Sequence, residues 1–126
     1  MTSQELKERT KRFSIEIIEA CRLFDKSDVS RILLRQLIRS ATSVAANYRA
    51  ACRGRSKAEF IAKLHIAVEE SDETAFWLEI IIEANVFSGE KIKELLKESK
   101  EILYILSSSL KTARENQKIK GASINS

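Results

Sequence analysis

The stretch DVSRILLRQLIRSATSVAANYRAACR, residues 28–53, holds neither proline nor glycine and returns an apolar side chain every three or four positions. Leu34, Leu37, Ile38, Ala41, Val44, Ala45, Tyr48 and Cys52 share one arc of a helical wheel. A half-buried strand needs strict alternation, which this stretch lacks. The pattern predicts one long amphipathic helix with a buried apolar side. Its opposite side carries a second pattern. Arg31, Arg35, Arg39, Arg49 and Arg53 fall within about 80° of one another at about 100° per residue, and Arg55 follows just beyond. The positions between them on that ridge are Thr42 and Ala46, so no acid interrupts the row.

Signals on either side of this helix predict three more. Upstream, Asp25 to Asp28 reads as a polar turn, with Ser27 as the helix cap and Ser30 as a second choice. Before it, Leu6, Phe13, Ile17, Ala20 and Phe24 mark a helix from about Gln4 to Phe24. Downstream, Arg53-Gly54-Arg55-Ser56 is a short link, and Ser56 with Glu59 has capping-box spacing. A third helix runs on to about Ala84, with Phe60, Leu64, Ala67, Ser71, Leu78 and Ile82 along one side. After a link from Asn85 to Gly89, with Ser88 as cap, a fourth helix runs from Gly89 to about Glu115. Its stripe is Ile92, Leu95, Leu96, Ser99, Leu103, Leu106 and Leu110. The 126 residues include three glycines and no proline, too few turn formers for an all-β fold. Short links make successive helices antiparallel neighbours. The expectation is an all-α, antiparallel up-down-up-down four-helix bundle over residues 4–116, with a polar, disordered tail at 117–126.

Charge is unevenly placed. Residues 1–56 carry 12 basic and 6 acidic residues, net +6; residues 57–84 carry 2 and 7, net −5; residues 85–126 carry 8 and 5, net +3. A row of arginines attracts nucleic-acid phosphates, because each neutralised phosphate releases counterions. The same row also suits pairing with an acidic face of another subunit, or plain solvation. The third helix offers such a face in Glu69, Asp72, Glu73 and Glu83. Beside those acids, Ile66, Phe76, Trp77 and Ile80 lie away from the expected core. Aromatic residues in a polar surround are typical of subunit contacts. Ile66, Glu69, Glu73, Phe76, Trp77 and Ile80 therefore form an expected oligomer interface, and the ridge Arg31, Arg35, Arg39, Arg49, Arg53 and Arg55 an expected nucleic-acid contact.

Reaction chemistry finds little footing. The single His65 with Glu69 and Glu73 lacks the Glu-x-x-His arrangement of bundle metal sites, so no metal and no cofactor is expected. No glycine-rich phosphate loop and no zinc spacing occurs, and neither Cys21 nor Cys52 has a base beside it in sequence. The expectation is a protein that is not an enzyme. His65 reads as a helix-surface pair. Asn47 borders the apolar arc and is expected to hydrogen-bond across a helix pair. No apolar run is long enough to span a bilayer, and MTSQELKERTKRF lacks the apolar core of a signal peptide, so the expected location is cytoplasmic, with no membrane partner.

Leu34-Arg35-x-Leu37-x-Arg39-Ser40-Ala41-x-Ser43-Val44-x-x-Asn47 resembles the four-helix-bundle proteins called 23S ribosomal RNA intervening-sequence proteins. The similarity continues through Arg55-Ser56, Glu59-Phe60 and Leu64-x-Ile66-Ala67, and covers about residues 6–115. Asn47-Tyr48-Arg49-Ala50-Ala51-Cys52-Arg53 and Glu69-Glu70-x-Asp72-Glu73-x-x-Phe76-Trp77-Leu78-Glu79 resemble one branch. A better-known branch has Asn-Ile-Ala-Glu-Gly here; its Glu and Gly are Ala50 and Ala51 in this chain, so no role of that glutamate carries over. The resemblance implies an antiparallel bundle that assembles into a ring-like homopentamer. Some members are encoded within ribosomal RNA genes. A related group of basic proteins serves reverse transcriptases of diversity-generating retroelements. The resemblance thus implies further partners: RNA or DNA, and a nucleic-acid-processing protein.

Overall fold

The computed structural model describes residues 1–125, with side chains through Ile119. Four helices follow in order: α1 Ser3–Cys21, α2 Asp28–Cys52, α3 Lys57–Glu83 and α4 Glu90–Asn125. Each packs on the next, and α1 also packs on α4, which closes an all-α antiparallel four-helix bundle.

The helix starts are set locally. The hydroxyls of Thr2, Ser27 and Ser56 accept the backbone N–H groups of Glu5, Ser30 and Glu59, three residues into their helices. Each such cap contributes about 1 kcal/mol by satisfying an otherwise orphaned donor. Ahead of α2, Asp25 accepts from the Ser27 N–H at 2.9 Å and the Ser30 hydroxyl at 2.8 Å. Hydrogen bonds from Ser27 and then Ser30 hold the Asp25 carboxyl below its usual range. The turn from α3 to α4 needs two left-handed residues, Asn85 at φ 55° and Gly89 at φ 129°. Those are the residue types that adopt such angles at least cost. Gly54 answers a different need. A Cβ there would stand 3.1 Å from the Ala51 carbonyl oxygen and the Phe60 nitrogen, so the link can hug the start of α3.

All four helices contribute to one core, centred on Ile17, Leu37, Leu64, Leu78, Ile92 and Leu106. Burial of each such side chain contributes roughly 1.5–3 kcal/mol. The expected arcs hold, with shifts of one position. Ile81 rather than Ile82, and Ile102 rather than Leu103, is fully buried. α3 is flanked by α2 as well as α4, and α4 by α1 as well as α3. Each buried arc widens toward the second neighbour. Halfway along the bundle the core turns polar: Thr10, Ser14, Ser40, Ser71, Thr74 and Ser99 are buried. The hydroxyls of Thr10 and Thr74 return to carbonyls one turn back, and Ser14 reaches the Ala41 carbonyl of α2 at 3.0 Å.

The last helix does not stop near Glu115 as its pattern predicts. The backbone stays helical to Asn125, because Lys, Glu and Gln are good helix formers and α4 itself holds no glycine before Gly121. The expectation of a disordered tail falls mainly on residues 120–126, whose side chains lie outside the described residues.

Candidate functional site

All six arginines of the expected ridge are exposed, but they do not share one environment. Arg39 turns toward α3. Its guanidinium pairs with Glu70 at 3.0 Å and also with Glu73. Glu73 in turn accepts the Trp77 indole N–H at 3.1 Å. Arg39 first, then Trp77, holds the Glu73 carboxyl below the usual range, and Glu73 holds the Arg39 guanidinium further up. So Arg39 and Glu73, expected on a ridge and on a subunit interface, meet each other inside one chain. Arg31, Arg35, Arg49 and Arg53 make no ion pair among the described residues. Arg55 lies in the link to α3, where its backbone N–H donates to Glu59.

The unpaired arginines of the C-terminal half of α2 sit beside α1. There Lys7, Lys11, Arg49 and Arg53 line a groove of about 420 Å³, with Glu8 as the acid on its rim. Ala45 and Ala46 lie between the basic residues, so the helix backbone is close to the surface. Lys7 and Lys11 escaped the sequence reading, which did not weigh the charged face of α1. Their signal was the i, i+4 spacing, which puts both on one side of α1. Also unforeseen was Arg9, whose Nε and Nη2 reach Glu98 at 2.8 and 2.6 Å, with Nη2 also 2.7 Å from Glu101. These carboxylates push the Arg9 guanidinium up, against partial burial.

The back of α3 divides between covered and open. Phe76 is 50% exposed and Ile66 37%, whereas Trp77 and Ile80 are half-buried. The Phe76 and Trp77 rings meet edge to face, 5.0 Å between centroids. Arg39 stands level with Glu70 and Glu73, so Ile32, two turns along α2, lies about 10 Å away at the level of Ile80. Ile32 is 64% exposed. Ile32, Ile66 and Phe76 are thus open apolar side chains on the surfaces of α2 and α3. Glu69 pairs with His65 at 3.1 Å, and Arg114 of α4 reaches the other ring nitrogen at 2.9 Å. His65 is thus a helix-surface pair as expected.

Asn47 corrects an expectation. Its amide donates to the Ser43 carbonyl at 2.9 Å and to the Ser43 hydroxyl at 3.0 Å, one turn back within its own helix. Both cysteines are free, and burial pushes the Cys21 thiol up to about 12, which keeps it protonated. Among the described residues no group of three His, Cys, Asp or Glu is placed to hold a metal ion, and no helix is long and apolar enough to cross a membrane.

Comparison with known proteins agrees with this architecture. No curated protein matches the chain. A solved structure of a protein of unknown function from the S23 ribosomal protein family of Bacteroides thetaiotaomicron superposes with a TM-score of 0.80. The two sequences are 32% identical, over 88% of this chain and 99% of the other. The model of the 23S rRNA-intervening sequence protein family matches residues 2–108. With that match running through all four helices, the chain belongs to the 23S rRNA-intervening sequence protein family.

Proposed function

We propose that this protein is a non-enzymatic, self-associating helical bundle that binds nucleic acid through the phosphate backbone. One observation carries the reading: Arg31, Arg35, Arg49 and Arg53 share the outer side of α2 and have no carboxylate partner among the described residues. Arg39 and Arg9, by contrast, are paired with carboxylates of other helices. Arginines contact phosphates without reading bases, so binding is insensitive to sequence and falls steeply with salt. Copies of the chain in one assembly add their ridges and raise avidity. The homopentamer implied by the resemblance and the cytoplasmic location expected from the sequence belong to this reading.

The test is an electrophoretic mobility shift with RNA and DNA at two salt concentrations, with light scattering alongside. The variant replaces Arg31, Arg35, Arg49 and Arg53 with Ala. Loss of the shift with unchanged mass supports the reading. A wild-type protein that retards neither nucleic acid at low salt overturns it.

A second reading has its own observation, the exposure of Ile32, Ile66 and Phe76. In it the protein is a scaffold, and the free arginines meet Asp72 and Glu83 of a neighbouring copy. Dissociation of the arginine variant, without any prior nucleic-acid binding, favours this alternative.

A further inference from the structure

Three of the four seams of the bundle are crossed by opposite charges. Arg9 joins α1 to Glu98 and Glu101 of α4, Arg39 joins α2 to Glu70 of α3, and Lys100 of α4 lies 3.7 Å from Glu79 of α3. The seam between α1 and α2 sets like charges together. Lys7 and Lys11 share one groove with Arg49 and Arg53, four cations against the one acid of its lining, Glu8, and none of the four has an ion-pair partner among the described residues. Cations crowded along a packed seam repel one another and weaken the compact state. An anion from outside relieves that repulsion and releases its own counterions.

We propose that the α1–α2 groove seats the phosphate backbone of a double-helical nucleic acid, held by Lys7 and Lys11 on one wall and Arg49 and Arg53 on the other. The inference rests on the reading above that the unpaired α2 arginines meet phosphates. It adds α1 as a second wall and names the form of nucleic acid. On each wall the two cations are one helical turn apart, about 6 Å along the axis. Between the walls Ala45 and Ala46 present only methyl groups, so a strand can approach the α2 backbone closely. Proteins that hold single strands add rings on which bases stack. Here the exposed aromatic residues, Phe76 and Tyr104, sit on α3 and α4, away from the groove. A duplex keeps its bases stacked on one another and turns its phosphates outward, so it needs cations and no rings. RNA and DNA duplexes share that chemistry.

Fluorescence anisotropy with labelled duplex RNA, duplex DNA and the matching single strands tests this, using the full chain. The variants are Lys7→Gln with Lys11→Gln, and Arg49→Gln with Arg53→Gln. Thermal unfolding without nucleic acid serves as the fold control, and the expected melting temperature is unchanged or raised, since a repulsion is relieved. Each variant should bind duplex more weakly than wild type. Two lost phosphate contacts should shrink the wild-type advantage about tenfold between 50 and 200 mM salt. Lys7→Arg with Lys11→Arg should restore binding. If duplex affinity is indifferent to Lys7 and Lys11 while Arg31→Gln with Arg35→Gln lowers it, the groove assignment fails and the broader reading stands. Tighter binding of single strands than of duplex also overturns the groove assignment. A wild type that binds no nucleic acid removes both.

Discussion

Helix α2 meets α3 through Arg39 and meets α1 beside Arg49 and Arg53, and the two meetings are opposite in kind. Toward α3, a guanidinium is clasped by Glu70 and Glu73, and an indole N–H completes the carboxylate's hydrogen bonding. Toward α1, two guanidinium groups stand with two ammonium groups and Glu8, and none of these cations is in an ion pair among the described residues. The arginines are chemically the same and lie on the same side of the same helix. The neighbouring helix decides what each does. α3 is the acidic segment of the chain, whereas α1 brings Lys7 and Lys11 to its α2 edge. A basic row is thus not one feature: its α3 edge is paired within the chain, and its α1 edge has no ion pair among the described residues.

The contrast can be broken most severely from beneath. Leu37 is 1% exposed and lies under both edges of α2. Leu37→Ala is expected to cost about 3 kcal/mol, from lost burial and the cavity left behind. Urea unfolding measures it, and a cost below about 1 kcal/mol would mean that α2 is not held by this core. A smaller effect comes from the other paired seam. Arg9→Ala leaves the partly covered Glu98 without its two-pronged partner and is expected to cost about 1.5 kcal/mol.

The next effect sets the two edges directly against each other. Arg39→Ala is expected to lower stability by about 0.5 kcal/mol, since the pair is half-exposed, and to leave nucleic-acid affinity nearly unchanged. Arg49→Ala is expected to change stability by less than about 0.5 kcal/mol and to weaken binding. Unfolding and anisotropy on the two variants check the pair. Equal effects of the two substitutions on both readouts would erase the distinction between the edges.

The smallest effect is a pH dependence of the clasp. The Glu73 carboxyl is held below its usual range in the folded chain by Arg39 and Trp77. Its unfolded value is about 4.3. The unfolded chain therefore takes up a proton first as pH falls, and the clasp's contribution, complete well above pH 4.3, is lost as pH drops through the folded value. Wild-type stability should decline below about pH 4 slightly more than that of Arg39→Ala. Urea midpoints at pH 7 and pH 3.5 measure the difference, and identical declines would show that the clasp carries no linked proton.

The helices, their order and most of their buried faces were legible along the chain. Apolar spacing, serine caps and short links are local properties, and they need no knowledge of a partner helix. The positions Leu37, Ala41, Val44 and Tyr48 could be read from the period alone, and all four are buried. The match of Ser56 with Glu59 likewise followed from a three-residue interval. Which arginines are free among the described residues depends on how the helices pack. Lys7 lies 42 positions before Arg49, and Arg39 lies 34 before Glu73, so neither relation leaves a periodic trace along the chain. Charges along one helix face report what is available at the surface. Whether they repel, pair or wait for a phosphate depends on the side chains that packing carries to within a few ångströms, where Coulomb energies become large enough to matter.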